Sequence, residues 1–145
     1  PYTYGHRTIL QNYSHMNQAL AHPLGANFKE WVNILEIRKR KLTYKIKTMF
    51  TYVGLDSAET HYGQNIFESD FLASTGGQYS YGNYNGQGDN TVIFSIQPEL
   101  ALRLKWFDVF GLVYYRTKNS NLLDQDLILY SIGLRTFPFT IFQDY

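Results

Sequence analysis

Residues 91–106 read TVIFSIQPELALRLKW, and their alternation decides the fold. Val92, Phe94, Ile96, Pro98, Leu100, Leu102, Leu104 and Trp106 are all apolar. Between them stand Thr91, Ile93, Ser95, Gln97, Glu99, Ala101, Arg103 and Lys105, mostly polar or small. Successive side chains of a strand point to opposite faces, so this stretch is an extended segment with one apolar and one wet face. It is also over-long. Soluble strands average about 5–6 residues, whereas a tilted strand crossing a bilayer needs about 9–11.

Similar segments lie on both sides. Residues 42–53 (LTYKIKTMFTYV) alternate Leu42, Tyr44, Ile46, Thr48, Phe50 and Tyr52 with Thr43, Lys45, Lys47, Met49, Thr51 and Val53. A helix would set Lys45 and Lys47 beside Ile46 rather than opposite it, so a strand is predicted. Residues 28–37 (FKEWVNILEI) form a further strand, with Trp31, Leu35 and Ile37 opposite Glu30 and Glu36; Asn33, Val32 and Ile34 blur its register. Residues 108–117 place Phe110, Leu112 and Tyr114 opposite Val109, Gly111, Val113 and Tyr115. In residues 126–137, Ile128, Tyr130, Ile132 and Leu134 oppose Leu127, Leu129, Ser131, Gly133 and Arg135, and Pro138 is read as an interruption because proline cannot donate to a ladder. Pro98, on the apolar face of the opening segment, predicts a β-bulge.

The connections alternate in length. Residues 7–27 and 54–90 read as long loops rich in Gly, Asn, Gln and Tyr, and 118–125 as a medium polar loop; 38–41 and 105–108 are tight turns. Long structureless loops count against a compact soluble domain, but outer-membrane barrels carry long extracellular loops and short periplasmic turns. The predicted fold is therefore all-β: about five strands of an antiparallel, up-and-down transmembrane β-barrel, with residues 1–145 its C-terminal part. About eight strands is the smallest such barrel. Missing strands are expected upstream of Pro1, since PYTYGHR reads as the tail of a strand; assembly from several chains is the other route.

Composition narrows the classes further. Net charge is +1, which gives no field for nucleic acid, and no nucleic-acid partner is expected. With no Cys there is neither thiolate metal site nor disulfide. No run of about 18 apolar residues occurs, so no transmembrane helix is expected. Aromatic residues make up 17% of the chain, with 13 Tyr and 10 Phe. Trp31 and Tyr52 fall near one end of their strands, and Tyr44 and Trp106 near the other, as an interfacial girdle requires.

The barrel reading assigns each face. Lys45, Lys47, Glu99, Arg103 and Arg135 line the lumen, because one Lys on the lipid face near the midplane costs about 2–4 kcal/mol. Lipid contacts fall to Tyr44, Ile46, Phe50, Phe94, Ile96, Leu100, Leu102, Phe110, Leu112, Ile128 and Ile132. Lys45, Lys47 and Arg103 either tune an anion path or pair with Glu30, Glu36 and Glu99 as filler. Gly111 and Gly133 fall on the lumenal side, admitting a bulky neighbour such as Tyr115 or allowing curvature.

Tyr79, Tyr81 and Tyr84, with Asn83, Asn85, Gln78 and Gln87, could stack on and hydrogen-bond a saccharide; the plainer reading is a surface loop over the barrel mouth. His6, His15, His22 and His61 match no local ligand spacing, so no metal is expected. Hydrogen bonds that fold the loop around His22-Pro23-Leu24-Gly25 account for them better. The run Arg38-Lys39-Arg40-Lys41 could suggest nucleic acid or anionic lipid but joins two strands directly and reads as a solvated turn. Asp124 and Asp126 read as turn residues. No nucleophile elbow, phosphate loop or His-Glu metal pattern occurs, so neither catalytic residues nor cofactors are expected.

The string PYTYGHRTILQNYSHMNQALAHPLGANFKE (1–30), with YGQNIF (62–67) and YGNYNGQGDN (81–90) downstream, resembles Bacteroidetes outer-membrane proteins of the capsule-assembly Wzi-like family, a group that takes in the gliding-motility protein RemB. The resemblance covers most of the chain. It implies a non-enzymatic barrel of the bacterial outer membrane, tied to surface polysaccharide or gliding, with lipid and lipopolysaccharide, surface polysaccharide and other outer-membrane proteins as partners. It supplies no catalytic motif. Two competing readings are a transport channel with a charged lumen and a soluble, secreted carbohydrate-binding β-sandwich.

Overall fold

The computed structural model describes residues 3–5, 8–16, 18–20, 22–56, 61–69 and 82–136. Two short strands, β1 (Ser14–His15) and β2 (Gln18–Ala19), pair antiparallel, with Ser14 opposite Ala19 and His15 opposite Gln18. Five long strands follow: β3 (Phe28–Lys39), β4 (Leu42–Leu55), β5 (Asp89–Arg103), β6 (Phe107–Asn119) and β7 (Gln125–Thr136). They make one antiparallel sheet in sequence order, and the described residues hold no α-helix. Each long strand has 12–15 residues, at least twice the usual soluble length of about 5–6.

The elements differ from the sequence expectation mainly at their ends. β3 continues through Arg38 and Lys39, so the turn shrinks to Arg40 and Lys41, with Arg40 at φ 54°. Long basic side chains tolerate a strand end because their heads reach water while the stems lie along it. β5 stops at Arg103, and residues 104–106 form the next turn, closed by Leu104 N–H donating to Phe107 O at 2.9 Å. β5 runs through Pro98 without interruption. Residues 7–27, read as loop, contain a 3-10 turn at Ile9–Gln11, the β1–β2 ribbon and a turn closed by Gly25 N–H donating to His22 O at 2.7 Å. Pro138 lies outside the described residues.

In β5 and at the end of β4, burial alternates in the phase opposite to that of a soluble sheet, where apolar positions face the core and polar ones face water, whereas β3 and β7 are exposed on both faces. In β5, Thr91, Ile93, Ser95 and Ala101 are buried, whereas Leu100 is 54% and Leu102 41% exposed. β4 buries Thr51 and Val53 and leaves Phe50 exposed. Trp31, Leu35 and Ile37 of β3 are exposed; in β7 both the set Ile128, Tyr130, Ile132 and Leu134 and the opposite pair Leu127 and Leu129 are exposed.

The phase expected for β6 is corrected. Phe110 was placed on the face opposite Arg135 and Gly133, yet the Arg135 guanidinium lies 4.7 Å from the centre of the Phe110 ring. A Cβ on Gly133 would meet Phe110 Cζ at 2.7 Å. Phe110 therefore shares the polar face, and by alternation so does Leu112. β6 carries apolar residues on both faces in its middle, and the signal of its phase lay at its ends, where Asp108, Arg116 and Lys118 share the even positions with Phe110. The bulky neighbour of Gly133 is Phe110, not Tyr115.

The chain divides into two compact units. Unit 1 comprises Pro1–Trp31, Phe50–Ile93 and Lys118–Gln125; unit 2 comprises Val32–Met49, Phe94–Thr117 and Asp126–Tyr145. Unit 1 carries all the longer connections, and unit 2 both tight turns. Among the described residues, unit 1 buries a small apolar set, Ala26, Val53, Ile66 and Ile93, together with Asn12, Asn27, Thr51, His61, Ser69, Gln87 and Thr91. Unit 2, among the described residues, buries only Ser95, Ala101 and Asp108.

Candidate functional site: a charged cavity and a loop-packed polar face

Unit 2 holds a cavity of about 400 Å³, lined by Glu36 and Arg38 of β3, Thr43 and Lys45 of β4, Glu99, Ala101 and Arg103 of β5, Asp108 of β6 and Arg135 of β7. Each strand contributes through its polar alternation, so the sheet itself gathers these charges on one face. Arg135 reaches across β6 to Glu99, with Nη2 at 3.0 Å from Oε1, and its guanidinium lies over the Phe110 ring on the way. That geometry explains the β6 phase: the ring supplies a flat, electron-rich platform for the cation. Gly133 makes room for it.

Arg103 Nε lies 3.5 Å from Oδ1 of the buried Asp108, an ion-pair distance too long for a good hydrogen bond. Arg38 Nε donates to Glu36 Oε1. Lys45 has no ion-pair partner among the described residues. Four of the five residues expected in a lumen, Lys45, Glu99, Arg103 and Arg135, thus line one cavity, while Lys47 of β4 is not part of its lining. The expected pairings are corrected in detail. Arg103 meets Asp108, which was not among the expected acids; Glu36 takes Arg38; and Glu30 Oε2 lies 3.3 Å from His22 Nε2. Asp108 was missed because an acid at the head of a strand reads as a turn residue. Its even position, shared with Phe110, was the available signal.

Unit 1 packs loop against strand through backbone-directed side chains. Asn27, at φ 67°, is the hub: Nδ2 donates to Gly54 O at 2.9 Å and Gln87 O at 2.6 Å, and Oδ1 accepts from Gly86 N–H at 2.8 Å. Asparagine enters the left-handed region more readily than most residues, and its amide is both donor and acceptor. No side chain fits at Gly54, because a Cβ there would run into Gln87 O and Asn27 Nδ2. Asn12 Nδ2 donates to Ile66 O, and Glu30 accepts from Thr51 Oγ1 at 3.1 Å. His22 accepts from Leu24 N–H at 3.2 Å and stacks on Phe28 at 4.4 Å.

Asp56 organises the start of the long connection. Oδ1 accepts from Tyr62 N–H at 2.6 Å; Oδ2 lies 3.4 Å from both Asn65 N and His61 Nδ1. Burial alone would raise the Asp56 pKa, but the His61 hydrogen bond, the Tyr62 and Asn65 N–H groups and the His61 charge outweigh it, leaving the carboxyl below its ordinary value. Glu68 Oε2 stands 3.5 Å from the same His61 nitrogen. Asn27 and Asp56 went unnoticed as single polar residues; their only sequence signals were the neighbouring Gly25 and Gly54.

Of the saccharide candidates, Tyr79 and Tyr81, with Gln78, lie outside the described residues, as does His6. Tyr84 and Asn85 are exposed. Asn83 Oδ1 accepts from Gln87 Nε2 at 2.6 Å, and Tyr84 N–H donates to Gln87 Oε1 at 3.3 Å. Gln87 is therefore an internal tie of this turn rather than a surface amide. Asp124 accepts from Ser120 N–H at 3.2 Å, as a turn residue would. Among the described residues no group of three or more His, Asp or Glu could hold a metal. No protein family, curated protein or solved structure matches the chain.

Proposed function

We propose that the chain forms part of the wall of a non-enzymatic β-barrel in the bacterial outer membrane, acting in surface polysaccharide attachment or in gliding-related surface organisation. The inverted burial of β5 carries this reading: Thr91, Ser95 and Ala101 are covered while Leu100 and Leu102 stand out. In water such a face is a liability, since a large exposed apolar patch invites association. In hydrocarbon it is the stable arrangement, and backbone polar groups there survive only in helices or closed sheets. Strand length and the gathering of charge on the opposite face support the same reading. Tyr44, Ile46, Phe50, Phe94, Ile96, Ile128 and Ile132 belong with the lipid-facing set; Phe110 and Leu112 do not.

The polysaccharide role draws on the resemblance of the loop segments and on the exposed Tyr84 and Asn85. A channel is the second reading, favoured by the charged cavity of unit 2. The test is fractionation of cells that express the protein natively, followed by heat-modifiable gel migration. Extraction only with detergent, and a migration shift on heating, are expected. Recovery in the soluble fraction would instead support a secreted β-sandwich. Planar-bilayer conductance without glycan-array binding would move the function to transport, and glycan binding without conductance to attachment.

A further inference from the structure

The cavity of unit 2 has a charge imbalance that its own ion pairs do not remove. Its lining carries four cationic side chains, Arg38, Lys45, Arg103 and Arg135, against three acids, Glu36, Glu99 and Asp108. Each acid has an arginine partner. The ammonium of Lys45 is left over, beside the hydroxyl-bearing Thr43 on the same face of β4. Arg38 commits Nε to Glu36, and a guanidinium carries five N–H donors, so it retains others. A volume of about 400 Å³ falls within the range of about 300–1,000 Å³ typical of small-molecule sites.

We infer that this cavity is a binding site for a small anion, a carboxylate or phosphate group, held by Lys45 with Thr43 and Arg38. Arg103 and Arg135 face Asp108 and Glu99, so Lys45 is the one cation of the lining not matched by an acid, which suits a single anionic group. Charge-assisted bonds of N–H donors to such a group are short and strong; the half-buried Lys45 carries the site, and the more exposed Arg38 adds a donor at its rim. The inference does not depend on whether the apolar face meets lipid. It concerns the polar face, and the residues that form it sit on neighbouring strands whatever covers the other side.

The test is calorimetric titration of the folded full chain with inorganic phosphate, with glucuronate and with neutral galactose, all at matched ionic strength. Saturable binding of at least one anion is expected, and none of galactose. Lys45→Gln should weaken the binding about tenfold or more, and Lys45→Arg should retain it within about threefold. Lys47→Gln, on the same strand but outside the cavity lining, should leave it unchanged and serves as the folded control. Phosphate binding alone assigns the site to phosphate groups, and glucuronate binding alone to sugar acids. No saturable binding of either anion would overturn the inference. So would equal binding by Lys45→Gln, equal weakening by Lys47→Gln, or galactose binding as tight as glucuronate.

Discussion

At the scale of single residues, Asn27 and Asp56 set the conformation of unit 1. Asn27 satisfies two carbonyls and one N–H of buried or partly buried backbone. Leaving such groups unpaired costs about 1–3 kcal/mol each, without strict additivity. Asn27→Ala is therefore expected to lower unfolding free energy by about 2–4 kcal/mol. Asn27→Gly, which loses the same bonds but accepts φ 67°, should recover about 1 kcal/mol of that. Denaturant midpoints of the two variants check both figures; equal midpoints would mean the backbone conformation carries no strain. For Asp56 the folded-state pKa lies below the unfolded value of 3.8. Its contribution is thus complete above about pH 4 and is lost as pH falls through the lowered folded value. Hydrogen-exchange protection around residues 61–69 should drop in that acid window, and Asp56→Asn should flatten the drop.

At the scale of elements, β5 and the β5–β6–β7 crossing invite separate experiments. Leu100 stands 54% exposed on the apolar face of β5. If that face meets hydrocarbon, Leu100→Lys costs about 2–4 kcal/mol of folding free energy in lipid. If it meets water, the same change stays within about 0.5 kcal/mol. Folding titrations into vesicles distinguish the two. In the crossing, Arg135 bridges β7 to β5 over the Phe110 ring. Arg135→Met should cost about 1–2 kcal/mol, since the arginine is partly exposed while Glu99 is largely covered. A double-mutant cycle with Glu99→Gln should return a coupling above about 0.5 kcal/mol. Zero coupling would reduce the bridge to a chance contact.

At the scale of the whole molecule, the sheet has two edges. β3 and β7 each have one strand neighbour among the described residues, and both expose apolar side chains along their length. Unpaired strand edges are templates for further pairing. The 145-residue chain refolded alone in detergent is therefore expected to associate through β3 and β7. Light scattering checks this, and a stable monomer would show that the edges are blunted in some other way.

What the sequence determined by itself was the number, order and approximate extent of the long strands, and the face on which Lys45, Glu99, Arg103 and Arg135 stand. Those follow from a period of two along the chain, which is local and needs no partner to be read. The tertiary structure decided the rest. β6, apolar on both sides in its middle, had its phase fixed by the ring of Phe110 lying under Arg135, which agrees with the charges at Asp108, Arg116 and Lys118. Asn27 acquired its role only once distant backbone came within hydrogen-bonding reach, and Asp108 only once the Arg103 side chain came within ion-pair distance. In residues 91–103, alternation showed two faces, but only the structure showed Leu100 and Leu102 uncovered and Thr91, Ile93, Ser95 and Ala101 buried. A pattern of two fixes which residues share a face; which face is covered depends on what the other strands and loops bring to it.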